Sequence, residues 1–169
     1  MSAPATRLSA GEAWTVLESV PDPEIPVISV IELGVVRKLE MLDDGVRVTV
    51  TPTYSGCPAT ELIADSIREA LVAAGAGQVE VVTRLAPAWT TDWLTDETKE
   101  KLRAWGIAPP SGPAAASAAR PLSFVPPAPA CPRCGARDTV RLSEFGSTAC
   151  KALYRCRACR EPFDYFKPI

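Results

Sequence analysis

The strongest periodicity lies in residues 58–74, where Leu62, Ile63, Ile67, Ala70, Leu71 and Ala74 fall on one helical face and Asp65, Arg68 and Glu69 on the other. Pro58 suits a first helical residue, and the glycines at 75 and 77 close the element. A shorter helix is expected after Ser9. Ser9 and Glu12 have capping-box spacing, and Trp14, Leu17 and Val20 recur near one face before Pro21 ends the element. Pro21, Pro23 and Pro26 then remove backbone donors and predict an extended loop. Residues 35–42 and 46–51 are rich in β-branched side chains and flank Asp43, Asp44 and Gly45, which reads as an antiparallel hairpin. Residues 79–85 supply a third strand. A last helix is expected from about Thr95, where Asp96 and Glu97 suit the positive end, to Gly106. The order α-β-β-α-β-α predicts an α+β sandwich with helices packed on a three-stranded sheet.

After this pattern the composition shifts. Residues 108–130 hold seven prolines, eight alanines and one charge, Arg120, which cannot build a core and favours an extended spacer. The apolar island Leu122, Ser123, Phe124 and Val125 inside it either docks on a neighbouring surface or is incidental. The chain therefore divides into an α+β domain at 1–107, a linker at 108–130 and a small module at 131–169. In the module, residues 139–143, 149–155 and 163–166 read as three strands.

Chemistry narrows from here. With no histidine in the chain, Ser-His-Asp and Cys-His mechanisms, His-ligated catalytic zinc and Glu-x-x-His di-iron sites are all excluded. Cys131 and Cys134 form one Cys-x-x-Cys turn, Cys156 and Cys159 another, with 21 residues between them. Two such turns can close a tetrahedral site on one ion, which is the layout of a zinc ribbon. A module of this size buries too little surface to fold alone, so the zinc is expected to be structural; iron in a rubredoxin-like site or an iron–sulfur cluster is the alternative. Cys150 is read as a small buried side chain, with service as an alternative ligand left open. The first residues lack the features of a secretory signal and no run of 18 apolar residues exists, so a soluble cytoplasmic protein with reduced thiols and no membrane association is expected. Residues 1–107 carry 9 basic and 16 acidic side chains, residues 131–169 carry 8 and 4. Arg133, Arg137, Arg141, Arg155, Arg157 and Arg160 raise the reading of a nucleic-acid-binding ribbon. A solvated basic face or docking onto an acidic protein is the commoner cause of such charge.

Cys57 lies between a strand and the strongest helix. As the expected N-cap it would meet free amides and the helix dipole, which favour a thiolate. Thr53, Tyr54, Ser55 and Gly56 would surround it, and the rigid loop could bring the carboxylates of Asp22 and Glu24 near. From the residues alone, a buried unreactive cysteine stands equally well.

Three stretches carry a resemblance: Asp22 to Glu24, Ser29 to Val36 and Thr51 to Pro58. They resemble the MIP18-type family of iron–sulfur assembly factors, which includes SufT. The ribbon, with residues 145–156 and 161–166, is similar to that of an accessory-component family encoded with the bacterial phenylacetyl-CoA epoxidase. The resemblance implies a MIP18-like domain followed by a zinc ribbon in a non-catalytic protein of aerobic phenylacetate catabolism. Such a protein would help furnish metal centres of the oxygenase or reductase component of the monooxygenase. It makes Cys57 the functional thiol, holding iron or a cluster transiently, with Asp22 and Glu24 in its surroundings and a homodimer as one arrangement. A structural subunit bridging oxygenase and reductase is the alternative within that system.

Overall fold

The computed structural model describes residues 8–112 and 127–169, which form two compact units dividing between Trp89 and Thr90. In the first unit, helix α1 (Ala10–Glu18) starts on a complete capping box. Glu12 N–H donates to Ser9 Oγ at 3.3 Å and Ser9 N–H donates to Glu12 Oε2 at 2.8 Å. The buried stripe that follows is Ala13, Leu17 and Val20, whereas Trp14 is half-buried. Ala13 takes the buried place expected for Trp14.

Strands β1 (Val36–Met41) and β2 (Gly45–Val50) pair antiparallel, and β3 (Gln78–Thr83) lies parallel to β2 in the order β1-β2-β3. The crossover between β2 and β3 is helix α2 (Ala59–Ala73), which packs against β3 and α1. It buries Ala59, Ile63, Ala64, Ile67 and Leu71, a row spaced mostly by four. Leu62, expected in the core, is 58% exposed, and Ala74 is exposed at the end of the helix. On β2 the alternation is regular, with Val46, Val48 and Val50 buried. Gly45 does more than turn the hairpin. A Cβ there would lie 1.9 Å from the Gln78 carbonyl oxygen, so the close approach of β2 to β3 requires glycine.

The second unit opens with a single 3₁₀ turn (Thr91–Trp93) and helix α3 (Asp96–Trp105). Thr95 caps the helix and Gly106 ends it in the left-handed region at φ 98°. Strands β4 (Ile107–Ala108), β5 (Thr139–Ser143), β6 (Lys151–Cys156) and β7 (Pro162–Phe166) make one sheet in the order β4-β7-β6-β5. The three expected ribbon strands are present and antiparallel. The fourth, β4, pairs parallel to β7 through Ile107 with Asp164 and Ala108 with Tyr165. The division thus falls at Trp89 and Thr90 instead of after residue 107, and α3 belongs with the ribbon. A two-residue strand has no periodicity to read, and Ala108 looks like the first linker alanine. It is instead 1% exposed, packed with Cys131, Cys156, Phe163 and Tyr165. The apolar island at residues 122–125 lies outside the described residues.

Candidate functional site

The sulfur atoms of Cys131, Cys134, Cys156 and Cys159 all lie within 4.8 Å of one another. Two turns of nearly equivalent backbone bring them there. In the first, Cys131 N–H donates to the Ala136 carbonyl at 2.9 Å; in the second, Cys156 N–H donates to the Glu161 carbonyl at 3.0 Å, the same five-residue reach. The residue after each second cysteine is left-handed: Gly135 at φ 75° and Arg160 at φ 68°. Glycine takes that conformation freely, whereas Arg160 meets a steric cost of about 1 kcal/mol. The need for φ > 0 at Arg160 is a feature that residue type conceals. Only its place one residue after a Cys-x-x-Cys turn could have signalled it.

The sulfurs suit a tetrahedral ion. A tetrathiolate with metal–sulfur bonds of about 2.3 Å needs sulfurs about 3.8 Å apart, and Cys131 with Cys159 (3.7 Å) and Cys134 with Cys156 (3.6 Å) come close to it. Two of the thiols are shifted in opposite directions. The Cys159 amide, 3.5 Å from the Cys156 sulfur, holds the Cys156 thiol down to about 7. Cys159 is drawn down by the Glu161 amide, but burial and the other three sulfurs outweigh it and push it up to about 12. Cys150 is not part of the cluster. It is buried, with its sulfur 3.1 Å from Thr148 Oγ1.

Cys57 lies on the turn that leads into α2. The helix begins one residue later than expected, with Pro58 as N-cap and no side-chain cap bond, so Cys57 stands just outside it. Its backbone still anchors the turn. Cys57 N–H donates to the Tyr54 carbonyl at 3.2 Å, and the Cys57 carbonyl accepts from Thr60 N–H at 3.2 Å and Thr60 Oγ1 at 2.9 Å. Cys57 is half-buried, Thr53 buried, and Ser55 and Gly56 exposed. Asp22 serves its own loop: buried, it accepts from Glu24 N–H at 2.9 Å and Ile25 N–H at 2.8 Å through Oδ1, while the Glu24 side chain is exposed. A second reciprocal cap, with Ser29 N–H to Glu32 Oε2 at 2.9 Å and Glu32 N–H to Ser29 Oγ at 3.1 Å, stiffens the following turn. Sequence reasoning missed it, although the Ser-x-x-Glu spacing was there to find.

Two family models match this chain. One, described as an iron–sulfur cluster assembly protein, covers residues 12–83; the other, described as a PaaD zinc beta ribbon domain, covers residues 116–167. Over 158 residues, 94% of this chain and 92% of the relative, it is 52% identical to an Escherichia coli protein named as a component of the 1,2-phenylacetyl-CoA epoxidase. The chain belongs to the PaaD family. Within this PaaD-family chain the N-terminal half has relatives of its own. Fe-S protein maturation auxiliary factors of Porphyromonas gingivalis (34% identical, 51% of this chain, 83% of the relative) and Bacillus subtilis (35%, 49% and 82%) match it. A conserved hypothetical protein from Thermotoga maritima has the same fold at 29% identity and TM-score 0.50, covering 60% of this chain and 98% of its own. A domain of unknown function from Bacillus anthracis, 24% identical over 54% of this chain and 89% of its own, supports the fold at TM-score 0.50.

Two of the ribbon arginines are neutralised locally: Arg141 pairs with Glu144, and Arg157 lies 3.8 Å from Asp138. Among the described residues no helix is long and apolar enough to cross a membrane.

Proposed function

We propose that this PaaD-family chain is a non-catalytic maturation factor that delivers iron or an iron–sulfur cluster to the oxygenase or reductase component of a phenylacetyl-CoA epoxidase. The observation that supports it is the union, in one chain, of an iron–sulfur assembly domain containing Cys57 with a ribbon of the PaaD type. Cys57 is half-buried at the head of α2, on a turn pinned from both sides by its own backbone bonds. A thiolate there binds a soft cation and releases it by ligand exchange: an incoming client thiolate forms its bond to iron as the Cys57 bond breaks, with no change of oxidation state. Asp22 holds the preceding loop in shape, and Thr53 and Ser55 flank the thiol in sequence.

Cys131, Cys134, Cys156 and Cys159 would hold zinc, which when bound crosslinks the two turns and leaves no open coordination position. The ribbon then serves recognition. The protein works in the cytoplasm beside its clients.

The test is the epoxidase itself. Produced with a Cys57→Ser variant, the oxygenase and reductase should carry less than about a tenth of their normal iron, in the range seen when metal-handling contacts are lost, while the variant keeps its zinc. Normal iron in both components would sink the proposal. Iron unchanged but oxygenase and reductase no longer co-purifying would favour a bridging role.

A further inference from the structure

We propose that the free edge of β3 pairs with the same edge of a second copy of this chain, so that two three-stranded sheets join into one across a two-fold axis. Among the described residues the two sheets of the protein have four edge strands, β1, β3, β4 and β5. Three of them carry features that discourage further pairing. β1 breaks register between Val36 and Lys38 and bears Arg37, Lys38 and Glu40; β5 breaks register between Arg141 and Ser143; β4 is two residues long. β3 has none of these. It runs six residues, Gln78–Thr83, in unbroken register with β2, holds neither proline nor lysine, and bears one charged side chain, Glu80.

The hydrogen bonds to β2 decide which groups β3 presents outward. Gln78 N–H donates to the Asp44 carbonyl at 2.9 Å and Arg84 N–H to the Val50 carbonyl at 2.8 Å. Peptide groups alternate along a strand, so Glu80 and Val82 also face β2, and the N–H and C=O groups of Val79, Val81 and Thr83 point away from it. Two such edges pair antiparallel when outward residues meet outward residues. Placing Val82 of both copies on the two-fold axis does this, with Val81 opposite Thr83 in each half of the seam. The same register sets Glu80 opposite Arg84 in both halves. Arg84 is exposed, and among the described residues its guanidinium has no ion-pair partner; Glu80 holds Arg47 at 2.6 Å on the same face of the sheet. Sliding by one pairing step puts Glu80 opposite Val82 or Ala86 and leaves the Arg84 cation unmatched, so charge fixes the register. The exposed Leu85 then meets half-buried Val79. On the helix side of this edge lies a cleft of about 360 Å³, lined by Ala64, Asp65 and Arg68 of α2 and by Val81 and Thr83. The second copy's Val81 and Thr83 side chains enter it. A strand that supplies both halves of its own charge and hydrogen-bond complement identifies the occupant as the chain itself.

Sedimentation equilibrium of the zinc-loaded full chain over a concentration series should show a monomer–dimer equilibrium. Thr83→Pro removes one outward donor from each copy and should raise the dimer Kd about tenfold or more. Arg84→Glu sets like charges opposite each other in both halves of the seam and should raise it by about the same factor. Far-UV circular dichroism checks each variant, and Arg84→Glu decides alone if the proline variant is unfolded. Cross-linking reads the register separately. Val82→Cys, treated with oxidised glutathione, should give a disulfide-linked dimer, because facing residues of a non-hydrogen-bonded pair lie about 4.5 Å apart at Cα. Gln78→Cys and the wild type, in which no cysteine of the seam faces its own counterpart, should not. The proposal is overturned by a chain that stays monomeric, by a dimer whose Kd neither variant changes, or by cross-linking no greater in Val82→Cys than in Gln78→Cys. A monomeric chain whose Val79, Val81 and Thr83 amides gain exchange protection only beside a purified epoxidase component would assign the edge to a partner's strand, and also overturn it.

Discussion

The four clustered thiols of the C-terminal unit and the lone thiol of the N-terminal unit differ in what their surroundings specify. Cys131, Cys134, Cys156 and Cys159 converge within 4.8 Å, so their chemistry follows from the donor set itself. Cys57 belongs to no such cluster of three or more ligand-type side chains among the described residues, and its chemistry depends on what is brought to it. The units around them differ in the same sense. The N-terminal unit buries Leu17, Val30, Val48, Ile67 and Leu71 completely and needs no crosslink to fold. In the C-terminal unit one buried cluster is Ala108, Cys131, Cys156, Phe163 and Tyr165, and two of its five members are themselves ligand candidates. A metal site that doubles as core leaves little freedom for exchange, whereas a thiol outside the core can change partners without unfolding anything.

The largest expected effect separates the two units outright. Stripping metal with a strong chelator, or replacing Cys156 by Ser, should remove on the order of 10 kcal/mol of binding free energy from the C-terminal unit. Amide hydrogen exchange should then lose protection in β5, β6 and β7 and keep it in β1, β2 and β3. Loss of protection in both units together would mean that they do not fold independently, and the contrast would fail. The reverse experiment is Ile67→Ala. Ile67 is fully buried on α2, and the truncation should cost about 3 kcal/mol in urea denaturation of the N-terminal unit. Metal content and β5–β7 protection should not change.

The contrast also accounts for what could be read in advance. The Cys-x-x-Cys spacing, the Ser9 and Glu12 box, the Thr95 cap and the Gly106 stop are local signals whose meaning needs only a few neighbouring residues, and the structure contains each of them. The mixed α+β architecture was legible for the same reason. What escaped depends on distant partners. Leu62 reads as core by spacing and faces solvent, because the buried row of α2 is set by what α1 and β3 present to it. Ala108 reads as linker and packs on Cys131 and Tyr165. Buried Asp22 accepts two amides of its own loop, a role that no local pattern announced. The role of Cys57 was suggested by family resemblance, since a single thiol carries no spacing to interpret.

A smaller effect tests how far the two Cys-x-x-Cys turns are equivalent. Arg160 holds the left-handed place that Gly135 fills in the other turn. Arg160→Gly should therefore stabilise the C-terminal unit by about 1 kcal/mol, less the added freedom of glycine in the unfolded chain. The melting temperature of the zinc-loaded protein reads this directly. Destabilisation would mean that the exposed Arg160 side chain makes a contact worth more than its backbone strain.

The smallest effect is expected where the functional proposal is largest. Among the described residues the Cys57 sulfur takes part in no hydrogen bond, and the bonds at this position are made by its backbone, which serine would retain. Cys57→Ser should change the urea stability of the N-terminal unit by less than about 0.5 kcal/mol and leave zinc content unchanged. Any loss of client iron in that variant could then be attributed to the missing thiol and not to a damaged fold. A destabilisation above about 1.5 kcal/mol, in the range of a core substitution, would place Cys57 with the buried structural residues. It would then resemble Cys150, which is buried beside Thr148, and the distinction between a structural cluster and an exchangeable thiol would no longer hold.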